Sequence, residues 1–271
     1  MKPFVLLAAL LLLRASAPAE TIGPASGTLL IHGGGRLTRE SIQEFIRLAG
    51  GADVPFVIIP TAEPGEEWGA DYVAKSFLAR SGAKDVTVLH TRDRSVADSA
   101  EFVAPLLRAK GVWFGGGRQW RLTDSYLHTR TEYELHAVLA RGGVIGGSSA
   151  GATIQGSYLV RGALEGNELV MAPGHEEGFG FLKLSAIDQH VNTRHRENDL
   201  MPLVAAHPEL LGMALDEATA VVVRGDRLRS VGEGRVIFHY RGFTLGAAGS
   251  RYLQLAPGEE LDLKTRLKIV P

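Results

Sequence analysis

Val144-Ile145-Gly146-Gly147-Ser148-Ser149-Ala150-Gly151-Ala152 is the stretch on which the reading of this chain turns. Two apolar residues suited to a buried strand run into small residues, and a helix-like stretch from Ala152 to Tyr158 follows. Gly147-Ser148-Ser149-Ala150-Gly151 fits G-x-S-x-G. A nucleophilic serine needs a sharp strand-to-helix turn, so that its hydroxyl projects and the helix N-terminus faces the oxyanion that develops. Ser149 is therefore the candidate nucleophile, and the amide of Ala150 a candidate oxyanion donor.

Outward from this turn the chain alternates between two patterns. Apolar strands are predicted at 28–32, 57–59, 86–89, 112–114 and 144–145. Between them, Ile42, Phe45, Ile46 and Ala49 mark one helical face, Tyr72, Val73, Phe77 and Leu78 a second, and Phe102, Leu106 and Leu107 a third. Thr131-x-x-Glu134 reads as a capping box that opens a fourth helix through Leu135, Val138 and Leu139. Continuous apolar strands alternating with amphipathic helices predict an α/β fold: a mostly parallel sheet with helices on both faces. Ligands of such sheets bind at the carboxyl ends of the strands. Glycine clusters follow Ile31, Phe114 and Ile145. Beyond about Leu215, 219–223, 228–231 and 235–238 are short strands split by Gly turns, which predict an antiparallel C-terminal extension of the same domain.

The chain has 271 residues, of which 45% are hydrophobic and 22% charged, a globular balance. It has no cysteine, which excludes a disulfide scaffold, Cys-ligated zinc, iron–sulfur clusters and a thiol nucleophile. Residues 1–19 read as a signal peptide: Lys2, ten apolar residues from Phe4 to Leu13, then the small-residue cleavage site Ala17-Pro18-Ala19. Ten apolar residues are about half of the ~20 needed to cross a bilayer. Cleavage after Ala19 and a secreted or periplasmic product are expected, with 20–271 forming a single domain. Removal of Lys2 and Arg14 leaves 27 basic residues against 30 acidic, a balance with no overall attraction to nucleic acid or to a membrane.

A serine nucleophile requires a base. Of the nine histidines, His190 stands out, because it ends the strand-like stretch Leu184-Ser185-Ala186-Ile187 and precedes a run containing Arg194 and Arg196. Three rival chemistries are weaker. An α/β-hydrolase esterase using His239 lacks an HGGG-type oxyanion loop. A metal site from Asp188, His190, His195 and His175 lacks H-E-x-x-H spacing and is crowded by arginine. Gly33-Gly34-Gly35-Arg36 is not a G-x-G-x-x-G nucleotide turn. No metal and no cofactor are expected.

Five stretches, 29–35, 114–122, 147–152, 188–196 and 207–219, together resemble cyanophycinase and its relatives in the dipeptidase E family of serine peptidases, in the same order and at similar spacing. The resemblance implies a flavodoxin-like sheet related to class I glutamine amidotransferases, with serine in place of cysteine. It implies a Ser–His–acid triad with Ser149 as nucleophile and His190 as base, and an oxyanion hole built from the amides of Ala150 and Gly117. The acid is expected between serine and histidine, at Glu165 or Glu168, of which Glu165 falls nearer the expected position. Cyanophycin is a poly-aspartate whose β-carboxyls carry arginine. The resemblance assigns Arg194 and Arg196 to substrate carboxylates and lines the pocket with Gln119, Asp188 and Gln189. The implied partners are a peptide or cyanophycin-like substrate and, at most, a second copy of the chain as a homodimer. Two departures reverse charge: Arg118 and Asp199 stand where cyanophycinases tend to carry Asp and Arg. The alternative is a dipeptidase E-like aspartyl peptidase of other specificity.

Overall fold

The computed structural model describes residues 20–66, 68–242 and 252–270. The expected leader, 1–19, lies outside them. No helix among the described residues is long and apolar enough to cross a membrane.

Five parallel strands form the heart of the larger sheet: β1 (Thr28–His32), β2 (Pro55–Ile59), β3 (Asp85–Val88), β4 (Gly111–Phe114) and β5 (Val144–Ser148), in the order β1-β5-β4-β2-β3. Each overlaps a strand read from the sequence. The chain continues through β6 (Gly156–Tyr158), β7 (Leu182–Asp188), β8 (Leu211–Leu215), β9 (Thr219–Arg224), β10 (Arg227–Gly232), β11 (Val236–His239), β12 (Leu253–Leu255), β13 (Glu260–Asp262) and β14 (Leu267–Ile269). Antiparallel β9, β10, β13 and β14 add to the free edge of β1, giving nine strands. Arg224-Gly225-Asp226 makes the β9–β10 turn, with Gly225 at φ 56°.

A second sheet, absent from the sequence reading, has the order β12-β11-β8-β7-β6. β6, β7 and β8 run parallel, while β11 and β12 are antiparallel. The stretch 235–238, expected in the extension, thus lies in this other sheet. Its alternate residues explain the switch. Val236 and Phe238 join the core shared with Leu29, Ile31, Val57, Ile59, Phe114 and Ile145, while Ile237 faces the other way onto Leu200 and Leu203. The outer face of the large sheet, Leu30, Phe56, Ile58 and Trp113, packs on Phe45 and Ala49 of the helix Arg39–Ala49. That helix starts at Thr38, whose hydroxyl accepts from Ser41 N at 3.0 Å, and stops at Gly50 with φ 107°.

Two local expectations are corrected. Thr131 does not cap its helix. The helix begins at Arg130, and the Thr131 hydroxyl donates to the Ala97 carbonyl at 2.6 Å, tying two elements together. The helix after Ser149 is short, Ala150–Thr153, because the chain bends at once into β6 and pairs with β7.

Candidate active site

The carboxyl ends of β1, β4, β5, β7 and β8 carry His32, Gly115–Gly117, Ser149, His190 and Glu217 into one place. Ser149 sits at φ 57°, ψ −114°, a conformation that non-glycine residues rarely adopt. The turn is that tight because glycine flanks it. A Cβ on Gly147 would lie 2.2 Å from the Gly151 carbonyl oxygen, and one on Gly151 2.3 Å from that of Phe114. The Ser149 amide donates to the His32 carbonyl at 3.1 Å.

His190 follows β7 in left-handed conformation, φ 57°, ψ 34°, and its amide donates to the Gly33 carbonyl at 2.7 Å. Its Nε2 lies 2.9 Å from Ser149 Oγ, and its Nδ1 lies 2.5 Å from Glu217 Oε1. With Nδ1 carrying the proton toward the carboxylate, Nε2 is left bare to accept from the serine hydroxyl. Glu217 is fixed in turn: Thr193 Oγ1 donates to its Oε1 at 2.9 Å, and its amide donates to Asn192 Oδ1 at 2.9 Å. Gly34 packs flat on the imidazole, so that a Cβ there would be 2.4 Å from His190 Cε1. Among the described residues the amides of Gly117 and Ala150 donate to no protein group.

The carboxylate on the histidine is therefore Glu217, not Glu165. Glu165 and Glu168 are exposed on the loop after β6, and neither bonds to His190. That loop is held by its main chain. Arg161 Nη1 donates to the carbonyls of Asn167 and Glu168 at 2.9 and 3.2 Å, and Arg118 Nη2 to those of Ala163 and Gly166 at 2.5 and 2.6 Å. Its carboxylates are left facing water.

The expected pocket residues divide by burial. Asp188 is 0% exposed and accepts from both Nε and Nη2 of Arg161, at 2.9 and 2.7 Å. Arg161, itself 1% exposed, also holds Asp199 Oδ2 at 2.6 Å. Gln119 Nε2 donates to the carbonyls of Val160 and Arg161, both at 2.8 Å. Buried Arg196 reaches the Gln189 carbonyl at 3.5 Å and Asn167 O at 3.4 Å. Asp188, the Gln119 amide nitrogen and Arg196 are thus engaged by protein partners. Gln189 Oε1 stands 3.5 Å from Ser149 Oγ, and Arg194 is exposed beside the histidine. His239 Nε2 is engaged by the Glu197 carbonyl at 2.8 Å, and His175 pairs with Asp124. Among the described residues no group of three or more His, Asp or Glu side chains could hold a metal ion.

A family model described as peptidase family S51 matches residues 26–231. The chain belongs to peptidase family S51. A cyanophycinase from Geminocystis herdmanii (strain PCC 6308) is 32% identical over 211 residues, covering 76% of this chain and 75% of its own. A cyanophycinase from Synechococcus elongatus is 33% identical over 207 residues, covering 73% of this chain and 62% of its own. Among solved structures, a peptidase from an acI-B1 Actinobacterium superposes with a TM-score of 0.64 at 24% identity, over 89% of this chain and 98% of that one. A putative peptidase E protein from Listeria monocytogenes EGD-e gives 0.57 at 16% identity, over 78% and 100%. These two likenesses concern the fold. The S51 membership makes the chain a hydrolase, and serine-type chemistry agrees with it.

In this S51 member the site charges oppose one another. Burial holds the His190 imidazole below its usual pKa, and the guanidiniums of Arg194 and Arg196 add to that, while the hydrogen bond and charge of Glu217 pull it up. The His190 hydrogen bond, followed by that of Thr193, holds the Glu217 carboxyl below the usual range. His32, fully buried beneath the site, is pushed down to about 4, by burial first and the charge of His190 second, so it is neutral at pH 7. Its Nδ1 accepts from the Gly34 amide at 3.1 Å and thereby braces the turn that backs His190.

Sequence reasoning missed Glu217 although Asp216-Glu217 is part of a quoted motif. A usable signal existed: a short apolar stretch, Leu211 to Leu215, ends in two acids. As a strand parallel to the one that carries His190, it delivers those acids to the same edge.

Proposed function

We propose that this chain is a secreted serine-type peptidase that cleaves aspartyl peptides, with Ser149 as nucleophile, His190 as base and Glu217 as the carboxylate that orients the histidine. The observation that carries the reading is the unbroken hydrogen-bond line Ser149–His190–Glu217 at converging strand ends. In this scheme Ser149 Oγ attacks the scissile carbonyl carbon while its proton passes to His190 Nε2. Glu217 keeps Nδ1 protonated and stabilises the imidazolium that forms. The carbonyl oxygen, now negative, takes donors from the unengaged amides of Gly117 and Ala150. His190 then returns the proton to the departing amine, and water, activated by the same imidazole, releases the acyl group from Ser149.

The substrate class is read from similarity and from charge. Relatives at about 32–33% identity bear the name cyanophycinase, which favours cyanophycin or related β-aspartyl peptides. A second reading, an aspartyl peptidase of other specificity, is favoured by Arg118 and Asp199. Arg161 bonds Asp199 at 2.6 Å, so a second carboxylate stands in the buried cluster where cyanophycinases tend to carry arginine. One digestion panel tests both readings: cyanophycin, β-Asp-Arg isopeptides, α-aspartyl dipeptides and casein, with wild type and Ser149→Ala. Cleavage that depends on Ser149 and is confined to aspartyl substrates supports the proposal. Activity that survives in Ser149→Ala sinks the mechanism, and cleavage of casein alone sinks the substrate class. Export rests on residues 1–19, and N-terminal sequencing of the exported protein from the native host checks cleavage after Ala19.

A further inference from the structure

Three arginines, Arg92, Arg118 and Arg121, converge on the main-chain oxygens of 62–65, against which Gly117 packs. The Ala62 carbonyl accepts from the Arg118 amide at 2.8 Å and from Arg121 Nη1 at 3.0 Å. Arg92 Nη2 donates to the carbonyls of Glu63 and Gly65, at 2.7 and 3.0 Å, and Arg92 pairs with the Glu66 carboxylate. The Arg118 guanidinium reaches across to the loop after β6.

The charge balance of this cluster is uneven. Glu66 is taken by Arg92, and Glu63 receives the Tyr72 hydroxyl at 2.8 Å. The Arg118 and Arg121 side chains donate only to main-chain oxygens, and among the described residues neither has a carboxylate partner. The Nε atoms of Arg92 and Arg118 are buried without an acceptor. Burial, with Arg92 and Arg118 as like-charged neighbours, holds Arg121 below its usual range against the opposing charge of Glu66. Three guanidiniums, of Arg92, Arg118 and Arg121, thus stand against the two carboxylates of Glu63 and Glu66, and a bound carboxylate offsets the excess charge with charge-assisted hydrogen bonds.

The main chain that carries Arg118 passes beside the nucleophile. A Cβ on Gly116 would touch Ser149 Cβ at 3.4 Å, and Arg118 is two residues further on.

Building on the peptidase reading above, we propose that Arg118 and Arg121 form a subsite for a second substrate carboxylate, so that the preferred substrate joins an aspartyl residue to another acidic residue. The contact is separate from whatever Arg194 binds on the His190 side.

Binding to the Ser149→Ala protein reads this subsite without turnover. The probes are the isosteric isopeptides β-Asp-Glu and β-Asp-Gln, with β-Asp-Arg as the charge-reversed third, measured by calorimetry at low and at 0.5 M salt. At low salt β-Asp-Glu binds about tenfold or more tighter than β-Asp-Gln, as one charge-assisted contact predicts, and β-Asp-Arg binds weakest. The ratio shrinks as salt rises. Arg118→Gln and Arg121→Gln, each placed in the Ser149→Ala background, bring the ratio toward one. A purely structural role for these arginines weakens all three peptides alike and keeps the ratio. Equal binding of Glu and Gln peptides, tighter binding of the arginine peptide, or a ratio that survives both substitutions overturns the subsite. Turnover by wild type is scored separately. Charge-selective binding without Ser149-dependent cleavage removes the peptidase reading, while cleavage without charge selectivity removes only the subsite.

Discussion

His190 Nδ1 lies 2.5 Å from Glu217 Oε1, although the two residues are 27 positions apart and belong to different strand ends. β7 and β8 are parallel neighbours, with Asp188 opposite Ala214, so the residues just past each strand meet at one edge. The histidine and its carboxylate are brought together by sheet register; Thr193 then donates to the carboxylate, and Asn192 holds the Glu217 main-chain amide.

From this contact, Glu217→Gln is expected to lower kcat by two to four orders of magnitude, because an amide neither fixes the tautomer nor stabilises the imidazolium. Glu165→Gln and Glu168→Gln are expected to stay within about twofold of wild type, since both side chains face water. Steady-state kinetics on any cleaved aspartyl peptide decide it, and a dead Glu165→Gln with an active Glu217→Gln would reverse the assignment.

The pH profile follows from the same pair. The base must be neutral, so kcat/KM rises as pH increases through the free-enzyme pKa of His190. Burial and the nearby arginines lower that pKa, which places the acid limb below the ordinary histidine value of 6.5. Arg194→Gln removes a depressing charge and moves the limb to higher pH. Glu217→Gln removes a raising partner and moves it to lower pH. An unmoved limb in both variants separates the titration from His190.

Gly34→Ala tests how closely the imidazole is backed. Its new methyl would fall 2.4 Å from His190 Cε1 and 2.5 Å from Nε2, at a position where φ is +99°. The ring must shift, and a displacement near 1 Å costs roughly a hundredfold in rate. The expected result is a kcat loss of about that size, seen in a protein whose circular dichroism spectrum matches wild type.

Ser149→Gly and Ser149→Ala should both be inactive yet differ in stability. The φ 57°, ψ −114° backbone at this residue is strained for any side chain and free for glycine. Relief of such strain is worth about 1 kcal/mol after the entropy cost of glycine. Urea denaturation should find Ser149→Gly more stable than Ser149→Ala by that amount, and equal midpoints would show that the turn stores no strain.

Arg161→Met addresses the buried cluster. It strands Asp188, which is 0% exposed and keeps the Gln189 amide at 2.9 Å and Arg196 at 3.7 Å. Removing one partner of a buried pair costs roughly 3–5 kcal/mol. The double variant Arg161→Met/Asp188→Leu should recover most of it, as measured by chemical unfolding. A single variant as stable as wild type would show the pair to be dispensable.

Much of this protein was legible in one dimension. Four of the five parallel strands declare themselves as apolar runs, because a strand buried on both faces has no polar side to alternate with; the edge strand β3, Asp85-Val86-Thr87-Val88, is half-buried and alternates. Ser149 is legible because a turn this tight admits only glycine at 147 and 151, a constraint written into five consecutive residues. His190 is legible as a polar residue at an apolar strand's end. Tertiary structure alone decided which carboxylate serves it. Glu165, Glu168 and Glu217 are alike as residues, and only the parallel pairing of β7 with β8 separates the one at the imidazole from the two in water. The roles of Arg118 and Arg161 were likewise undecided by sequence, and Arg196, expected on a substrate carboxylate, is buried against protein partners. A guanidinium can bind a substrate carboxylate, a buried aspartate or a loop carbonyl with the same donors. The choice depends on which acceptor lies within about 3 Å, and that distance exists only once the chain has folded.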